Sequence, residues 1–290
     1  MLPFLRLRAE EGLGEARLLL LLFHQKDPLE RAAWLALPGR LREGLALLLA
    51  AAPAPDVVAM SAVDFAWSGR TPFSLRIERF TVARGERLLL VGPSGSGKST
   101  LLSLLCGVAT PRAGRIDILG QDIARLSAAA RDRFRAEHFG IVFQMFNLLP
   151  YASVLDNVLL PLHFAPVRQR RAAARGTPAD EARRLLGRLG LEPARIEDRA
   201  AANLSVGQQQ RVAAARALIG APEIVVADEP TSALDRERQR AFLDLLFAEL
   251  AGGGGTLVMV SHDDTLARHF DRVVAIDAIA AISNGAGAAP

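Results

Sequence analysis

The chain has 290 residues, half of them apolar, with a formal charge of +4 and a pI near 10.1, enough for one large domain or two small ones with a substantial core. A single cysteine, Cys106, excludes a disulfide framework within the chain and suits a reducing compartment. The basic excess comes from arginine, since lysine occurs only at Lys26 and Lys98, and a solvated basic face accounts for it as well as an anionic partner does.

Residues 1–57 differ in character from the rest. They are rich in Leu, Ala and Arg, with helical spacing over Asp27 to Leu49 broken at Pro28, Pro38 and Gly39, and Ala52-Pro53-Ala54-Pro55 reads as a linker. The apolar runs Leu18 to Phe23 and Leu45 to Ala52 fall short of the roughly 20 residues a spanning helix needs. The expectation is a soluble, cytoplasmic protein that is free to dock on a membrane protein. The arm is either a small helical appendage or a stretch upstream of a true start at Met60, and the second reading is the expectation. The N-terminal mass of the natively expressed protein decides between them.

From Ser61 the pattern turns strand-like: Val63, Phe65 and Trp67 alternate, and Phe73 to Ile77 and Phe80 to Val82 follow. Trp67 offers either a π face for an adenine ring or an ordinary half-buried strand aromatic. Next come the apolar run Leu88 to Val91, then Gly92-Pro93-Ser94-Gly95-Ser96-Gly97-Lys98-Ser99-Thr100, then Leu101 to Leu105. This is a buried strand, a glycine-rich turn and a helix, and it matches G-x-x-x-x-G-K-[ST] throughout. The glycines let backbone N–H groups converge on an anion, and the helix start adds unpaired N–H groups and a partial positive charge. Lys98 reaches the outer phosphates and the Ser99 hydroxyl ligates Mg²⁺. The stretch therefore predicts a nucleoside triphosphate site.

Arg115 to Gly120 is another short strand, and Ser127 to His138 a helix with Ser127 as N-cap. The buried strand Gly140 to Phe143 delivers Gln144 at its end, where open α/β sheets bind ligands and where an amide can touch Mg²⁺ or the attacking water. Tyr151 to Ala202 reads as mainly helical, with a helix start at Thr177-Pro178-Ala179-Asp180. Its arginines Arg168, Arg170, Arg171 and Arg175 are expected to form a solvated face.

Asn203-Leu204-Ser205-Val206-Gly207-Gln208 opens an Ala-rich helix and makes a second anion-receptive helix end. The strand Ile224 to Ala227 then delivers Asp228 and Glu229, which face opposite sides. Asp228 is expected to hold the Mg²⁺ shell and Glu229 to polarise the attacking water. An amphipathic helix through Phe242 to Leu250 follows, and then the strand Thr256 to Val260, which ends in Ser261-His262-Asp263. His262 is placed at a strand tip to bond a γ-phosphate and the water. Arg272 to Ile276 closes the sheet, and 283–290 reads as a frayed tail.

In this order the motifs resemble the ATP-binding subunits of ABC transporters, across Ser61 to about Ile282. The family's phosphate loop matches Gly92 to Thr100, its Q-loop Gln144, its signature Leu204 to Gln208 and its acidic strand Ile224 to Glu229. Its D-loop matches Ser232 to Asp235, its switch histidine His262 and its adenine-stacking aromatic Trp67. One departure stands out: Val206 replaces the first glycine of LSGGQ, while Gly207 is retained. The resemblance implies an α/β fold, a P-loop NTPase core with an antiparallel β layer and an inserted α-helical subdomain at about 145–202, within a domain of 58–282. It implies ATP and Mg²⁺, hydrolysis by Glu229 and His262, and a head-to-tail dimer with a second copy of the chain. In that dimer each ATP lies between one phosphate loop and the other chain's Leu204 to Gln208, with Asp235 nearby. It also implies an integral membrane permease partner, peripheral placement on the inner face of the cell membrane, and no nucleic-acid partner. The wording around Phe143 to Pro150 and Val154 to Leu162 is most similar to the LolD/MacB-type branch, associated with lipoprotein release and macrolide export. The alternative is a soluble ABC ATPase acting on nucleic acid or ribosomes.

Overall fold

The computed structural model describes residues 54–67, 73–232 and 234–284. The chain divides between Pro55 and Asp56 into two units, and the strands and helices of the described residues belong to the second. The helical reading of Asp27 to Leu49 lies outside the described residues.

Strands β1 (Asp56–Trp67) and β2 (Phe73–Ala83) pair antiparallel along their length, and β3 (Arg87–Val91) leads into helix α1 (Lys98–Leu105). β4 (Ala113–Ile118) and β5 (Gln121–Asp122) are followed by α2 (Ala128–His138), capped by the Ser127 hydroxyl, and by β6 (Phe139–Val142). A helical stretch comes next, with α3 (Val154–Leu159), α4 (Pro166–Ala172) and α5 (Pro178–Arg188), the last opened by a Thr177–Asp180 capping box. The chain continues through α6 (Val206–Leu218), β7 (Ile224–Asp228), α7 (Arg236–Gly253), β8 (Thr256–Ser261), β9 (Arg272–Ala275) and β10 (Ala281–Asn284).

The strands form two sheets. One is antiparallel in the order β10-β2-β1-β4-β5, and the other is parallel in the order β6-β7-β8-β3-β9. The parallel strands are continuous apolar runs because both of their faces are covered. Leu89, Val225, Ala227, Leu257 and Met259 face a core shared with the helices. Their neighbours Leu88, Leu90, Ile224, Val226, Val258 and Val260 face a second core shared with α1 and the antiparallel sheet. In-register pairing of Val142 with Ala227, Asp228 with Val260, and Val91 with Ser261 brings the C-terminal ends of four strands to one edge. Every candidate acid, base and phosphate-binding turn leaves the sheet there.

Three sequence expectations change. β1 begins at Asp56, ahead of the Ser61 from which strand character is expected, and Val57 and Val58 are buried in its core face. β10 continues through Ser283 and Asn284, which pair with Ser74 and Phe73, so the frayed reading of 283–290 does not hold at its first two positions, and 285–290 lie outside the described residues. The strand is held by its partner β2 rather than by any apolar pattern of its own. The arginine run is not a solvated face at Arg168, which is 2% exposed. Its guanidinium donates to the carbonyls of Ala136, Phe139, Ala217 and Ile219. Arg171 likewise turns to the Ala221 carbonyl and the Glu223 carboxylate.

Candidate active site

The turn between β3 and α1 is shaped by its glycines. Gly95 and Gly97 hold φ of 77° and 79°, the left-handed region a side chain disfavours. A Cβ at Gly92 would stand 2.6 Å from Ile276 Cγ2 and 2.8 Å from Ser96 Oγ, so the turn closes only on a bare backbone there. Gly97 gives α1 no side-chain cap, which leaves the helix start open toward the turn. Lys98 is buried, and its ammonium donates to the carbonyls of Gly92 at 2.7 Å and Pro93 at 2.8 Å, centred on the loop. Pro93, Ser94 and Gly95 are exposed on the rim. Inside it, Ser96 Oγ is buried without a hydrogen-bond partner, an orphaned donor that an anion in the loop would satisfy.

Ser99 Oγ donates to Asp228 Oδ2 at 3.1 Å, joining the first turn of α1 to the end of β7. Burial pushes the Asp228 carboxyl above its usual range and the adjacent Glu229 charge adds to that, while the Ser99 hydroxyl and Lys98 pull the other way. A crowded carboxylate with too little positive charge nearby suits a bound cation. Among the described residues no cluster of three or more His, Cys, Asp or Glu could hold a metal by itself. A hard ion here would take one carboxylate, one hydroxyl and ligand oxygens, a donor set that fits Mg²⁺.

Glu229 adopts φ 44°, and its N–H donates to the Val260 carbonyl at 3.0 Å. This departure from strand geometry turns its side chain to His262, whose Nδ1 lies 3.0 Å from Glu229 Oε2. With the carboxylate accepting, Nδ1 carries the proton and Nε2 is left for a second partner. The glutamate is largely covered and the histidine largely exposed, which leaves the imidazole free to reach a ligand. A non-glycine residue at such φ costs on the order of 1–3 kcal/mol and persists where its surroundings over-determine it.

Gln144 sits on an exposed turn just past β6, on the same sheet edge. Two consecutive residues close behind it, Phe146 and Asn147, also adopt positive φ, 58° and 49°. Trp67, at the end of β1, donates from Nε1 to Thr100 Oγ1 at 3.2 Å and packs edge-on against Phe65. Trp67 is 47% exposed beside the first turn of α1, so a planar ligand can reach it.

The stretch Leu204 to Gln208 stands apart from this group. Ser205 and Gln208 form a capping box at the start of α6, Leu204 is buried, and Val206 and Gly207 lie on the first turn. Ser205 to Gln208 line a separate concavity with Arg211, Leu234 and Arg238. Among the described residues no hydrogen bond joins them to the Gly92 to Thr100 turn. Asp235 likewise makes no hydrogen bond to it and caps α7 by accepting from the Arg238 N–H. One chain thus presents two anion-receptive helix ends that it does not itself bring together.

Sequence reading missed two residues. Gln210 is buried and donates to the Pro230 carbonyl at 2.9 Å, next to Glu229. Arg216 donates to the carbonyls of Phe146 and Asn147. No phase marks them in the sequence, since they lie about 120° apart around α6 and its residues from Val212 to Leu218 are all buried.

Comparison with known proteins agrees with this geometry. Residues 75–232 match the family model described as ABC transporter. The chain is 44% identical over 195 residues to an uncharacterized ABC transporter ATP-binding protein, YbbA, of Escherichia coli K12, covering 66% of this chain and 80% of that protein. It is 42% identical over 196 residues to the lipoprotein-releasing system ATP-binding protein LolD of Chromohalobacter salexigens, covering 68% and 79%. It is 44% identical over 194 residues to the macrolide export ATP-binding/permease protein MacB 1 of Aeromonas hydrophila, covering 67% of this chain but 28% of that longer protein. Among solved structures, the dimeric bacterial ABC transporter cassette MJ0796 superposes with a TM-score of 0.66 at 32% identity, over 80% of this chain and all of that one. Its post-hydrolysis dimer bound to ADP and Pi gives 0.64 at 31%, with the same coverage.

Proposed function

The chain belongs to the ABC transporter family as an ATP-binding, ATP-hydrolysing subunit, and from that premise we propose how its residues divide the work. ATP lies along the Gly92 to Thr100 turn, with its phosphates on the backbone N–H groups, Ser96 Oγ and Lys98, and its adenine against Trp67. Ser99 and Asp228, with Gln144 on the same sheet edge, would hold Mg²⁺, which would supply neutralisation of the charge on the phosphate oxygens. Glu229 orients and polarises the attacking water. His262 keeps the Glu229 carboxylate in place through Nδ1 and presents Nε2 to the γ-phosphate.

Two copies close head to tail, so that Ser205 and Gly207 of one face the phosphates held by the other, with Asp235 beside that junction. The two separate anion-receptive ends support this reading, and so does the dimeric cassette among the structural relatives. Closure drives an integral membrane permease, on which the chain sits at the inner face of the membrane. A groove lined by Ile141, Phe143, Pro161, Phe164 and Arg133 supports that docking, because Phe143 and Phe164 are 40% and 67% exposed beside the Gln144 turn. The stretch of about 145–202 acts as the helical subdomain that carries this motion. The branch is the lipoprotein-release and macrolide-export type, supported by identities of 42% to LolD and 44% to MacB.

The observation that carries the catalytic reading is the pair of contacts at one sheet edge, Ser99 to Asp228 at 3.1 Å and His262 to Glu229 at 3.0 Å. Glu229→Gln tests it. ATP binding is retained and turnover falls on the order of 10²- to 10⁴-fold, the range for losing a positioned base. Unchanged turnover removes Glu229 from this role.

A further inference from the structure

Helix α6 touches three parts of the site along one rigid rod. Its start is Ser205, its middle holds the Pro230 carbonyl through Gln210, and Arg216 lies about 16 Å from Ser205 at 1.5 Å per residue. Arg216 is 8% exposed. Its Nη1 donates to the Asn147 carbonyl at 2.6 Å and its Nη2 to the Phe146 carbonyl. These carbonyls belong to the two consecutive left-handed residues of the Gln144 turn. Inside that turn the backbone is tied only by short bonds, Phe146 N–H to Phe143 and Asn147 N–H to Met145. Burial pulls the guanidinium below its usual range, with no carboxylate to offset it. A covered cation whose partners are two carbonyls holds them firmly, because releasing them leaves its charge uncompensated.

We propose that Arg216 is a positioning residue for Gln144. Through the Phe146 and Asn147 carbonyls it fixes the turn that carries the amide and makes that turn move as one body with the Ser205 end of α6. The inference rests on the role proposed above for Gln144. Arg216 also lines the groove beside Phe143 and Phe164, so a segment seated there meets the same clamp.

The test is a double-mutant cycle in the full chain, with Gln144→Ala, Arg216→Met and both together. Turnover is measured across ATP and Mg²⁺ concentrations, with thermal unfolding alongside. Arg216→Met is expected to lower kcat about tenfold and to raise the half-saturating Mg²⁺, with KM for ATP within twofold. The double variant is expected to be no slower than Gln144→Ala alone. Arg216→Lys, which can still reach one carbonyl, regains part of the rate, and it replaces Arg216→Met in the cycle if that variant does not fold. Losses that multiply in the double variant, or a raised KM with unchanged kcat, overturn the inference while leaving Gln144 its role. Wild-type turnover in Gln144→Ala alone overturns that role itself.

Discussion

Replacing Arg168 by methionine removes a cation that the sequence presents as a surface charge and the fold has buried. Its guanidinium makes five hydrogen bonds to four carbonyls, at 2.6 to 3.2 Å, and two of these, Ala217 and Ile219, end helix α6. A positive charge at a helix C-terminus is favourable. Burial nonetheless pulls the guanidinium down to about 10, against the Coulombic pull of Glu137 and Glu223, so it is charged at pH 7. Buried ion pairs can often be exchanged for apolar side chains at no cost, because both partners are removed. Here the partners are main-chain carbonyls that cannot be removed. Each one left without a donor costs about 1–3 kcal/mol, and several such losses are offset in part by the burial of the methionine chain. The net expectation is a destabilisation of about 3–5 kcal/mol. At roughly 2–4 °C per kcal/mol in a domain of this size, Tm falls by about 6–20 °C. Urea unfolding followed by circular dichroism measures it, with Arg168→Lys expected between wild type and Arg168→Met. A loss below about 1 kcal/mol in Arg168→Met would refute the claim that these carbonyls depend on the guanidinium.

Other outcomes follow from the same geometry. Trp67→Ala removes a stacking face worth about 1–2 kcal/mol, so KM for ATP rises roughly five- to thirtyfold while kcat stays within twofold in steady-state assays. Glu223 is held down to about 2 by hydrogen bonds from His138 and Arg171, which outweigh its burial. With its folded value depressed, its contribution is present above the unfolded pKa of about 4.3 and fades as pH falls toward 2. Glu223→Gln therefore costs about 1–2 kcal/mol at pH 7 after solvent screening. The gap between variant and wild type in denaturant titrations narrows at pH 3.5, and a constant gap would contradict the linkage. Gly140→Ala would place a Cβ 2.1 Å from the Ala217 carbonyl and is expected to lower Tm, read by calorimetry, far more than Gly187→Ala, where the added Cβ meets open space.

What was legible in the sequence was local. The strand–turn–helix around Gly92 to Thr100 announces itself because loop, glycines and flanking apolar runs are contiguous. The α/β class follows from apolar strands alternating with helices. The capping residues Ser127, Thr177 and Ser205 could be read for the same reason, since each acts within three residues of itself. What was not legible depends on partners distant in sequence. Nothing in Arg168-Gln169-Arg170-Arg171 separates the buried first arginine from its solvated neighbour Arg170, because its acceptors lie on α2, β6 and the end of α6. The strand at Ala281–Asn284 has no apolar run and exists through its pairing with β2. The positive φ of Glu229, Phe146 and Asn147 is imposed by contacts and not by glycine, so composition gives no sign of it.

The central claim is that ATP is sandwiched between two copies of this chain. Sedimentation velocity of Glu229→Gln with ATP and Mg²⁺ tests it most directly, run beside the same protein with ADP and beside Glu229→Gln with Ser205→Arg added. The account predicts a species of twice the 31.1 kDa chain mass with ATP alone, with monomer in ADP and in the Ser205→Arg background even though both bind nucleotide. A Glu229→Gln chain that binds ATP fully and still sediments as a monomer would contradict it.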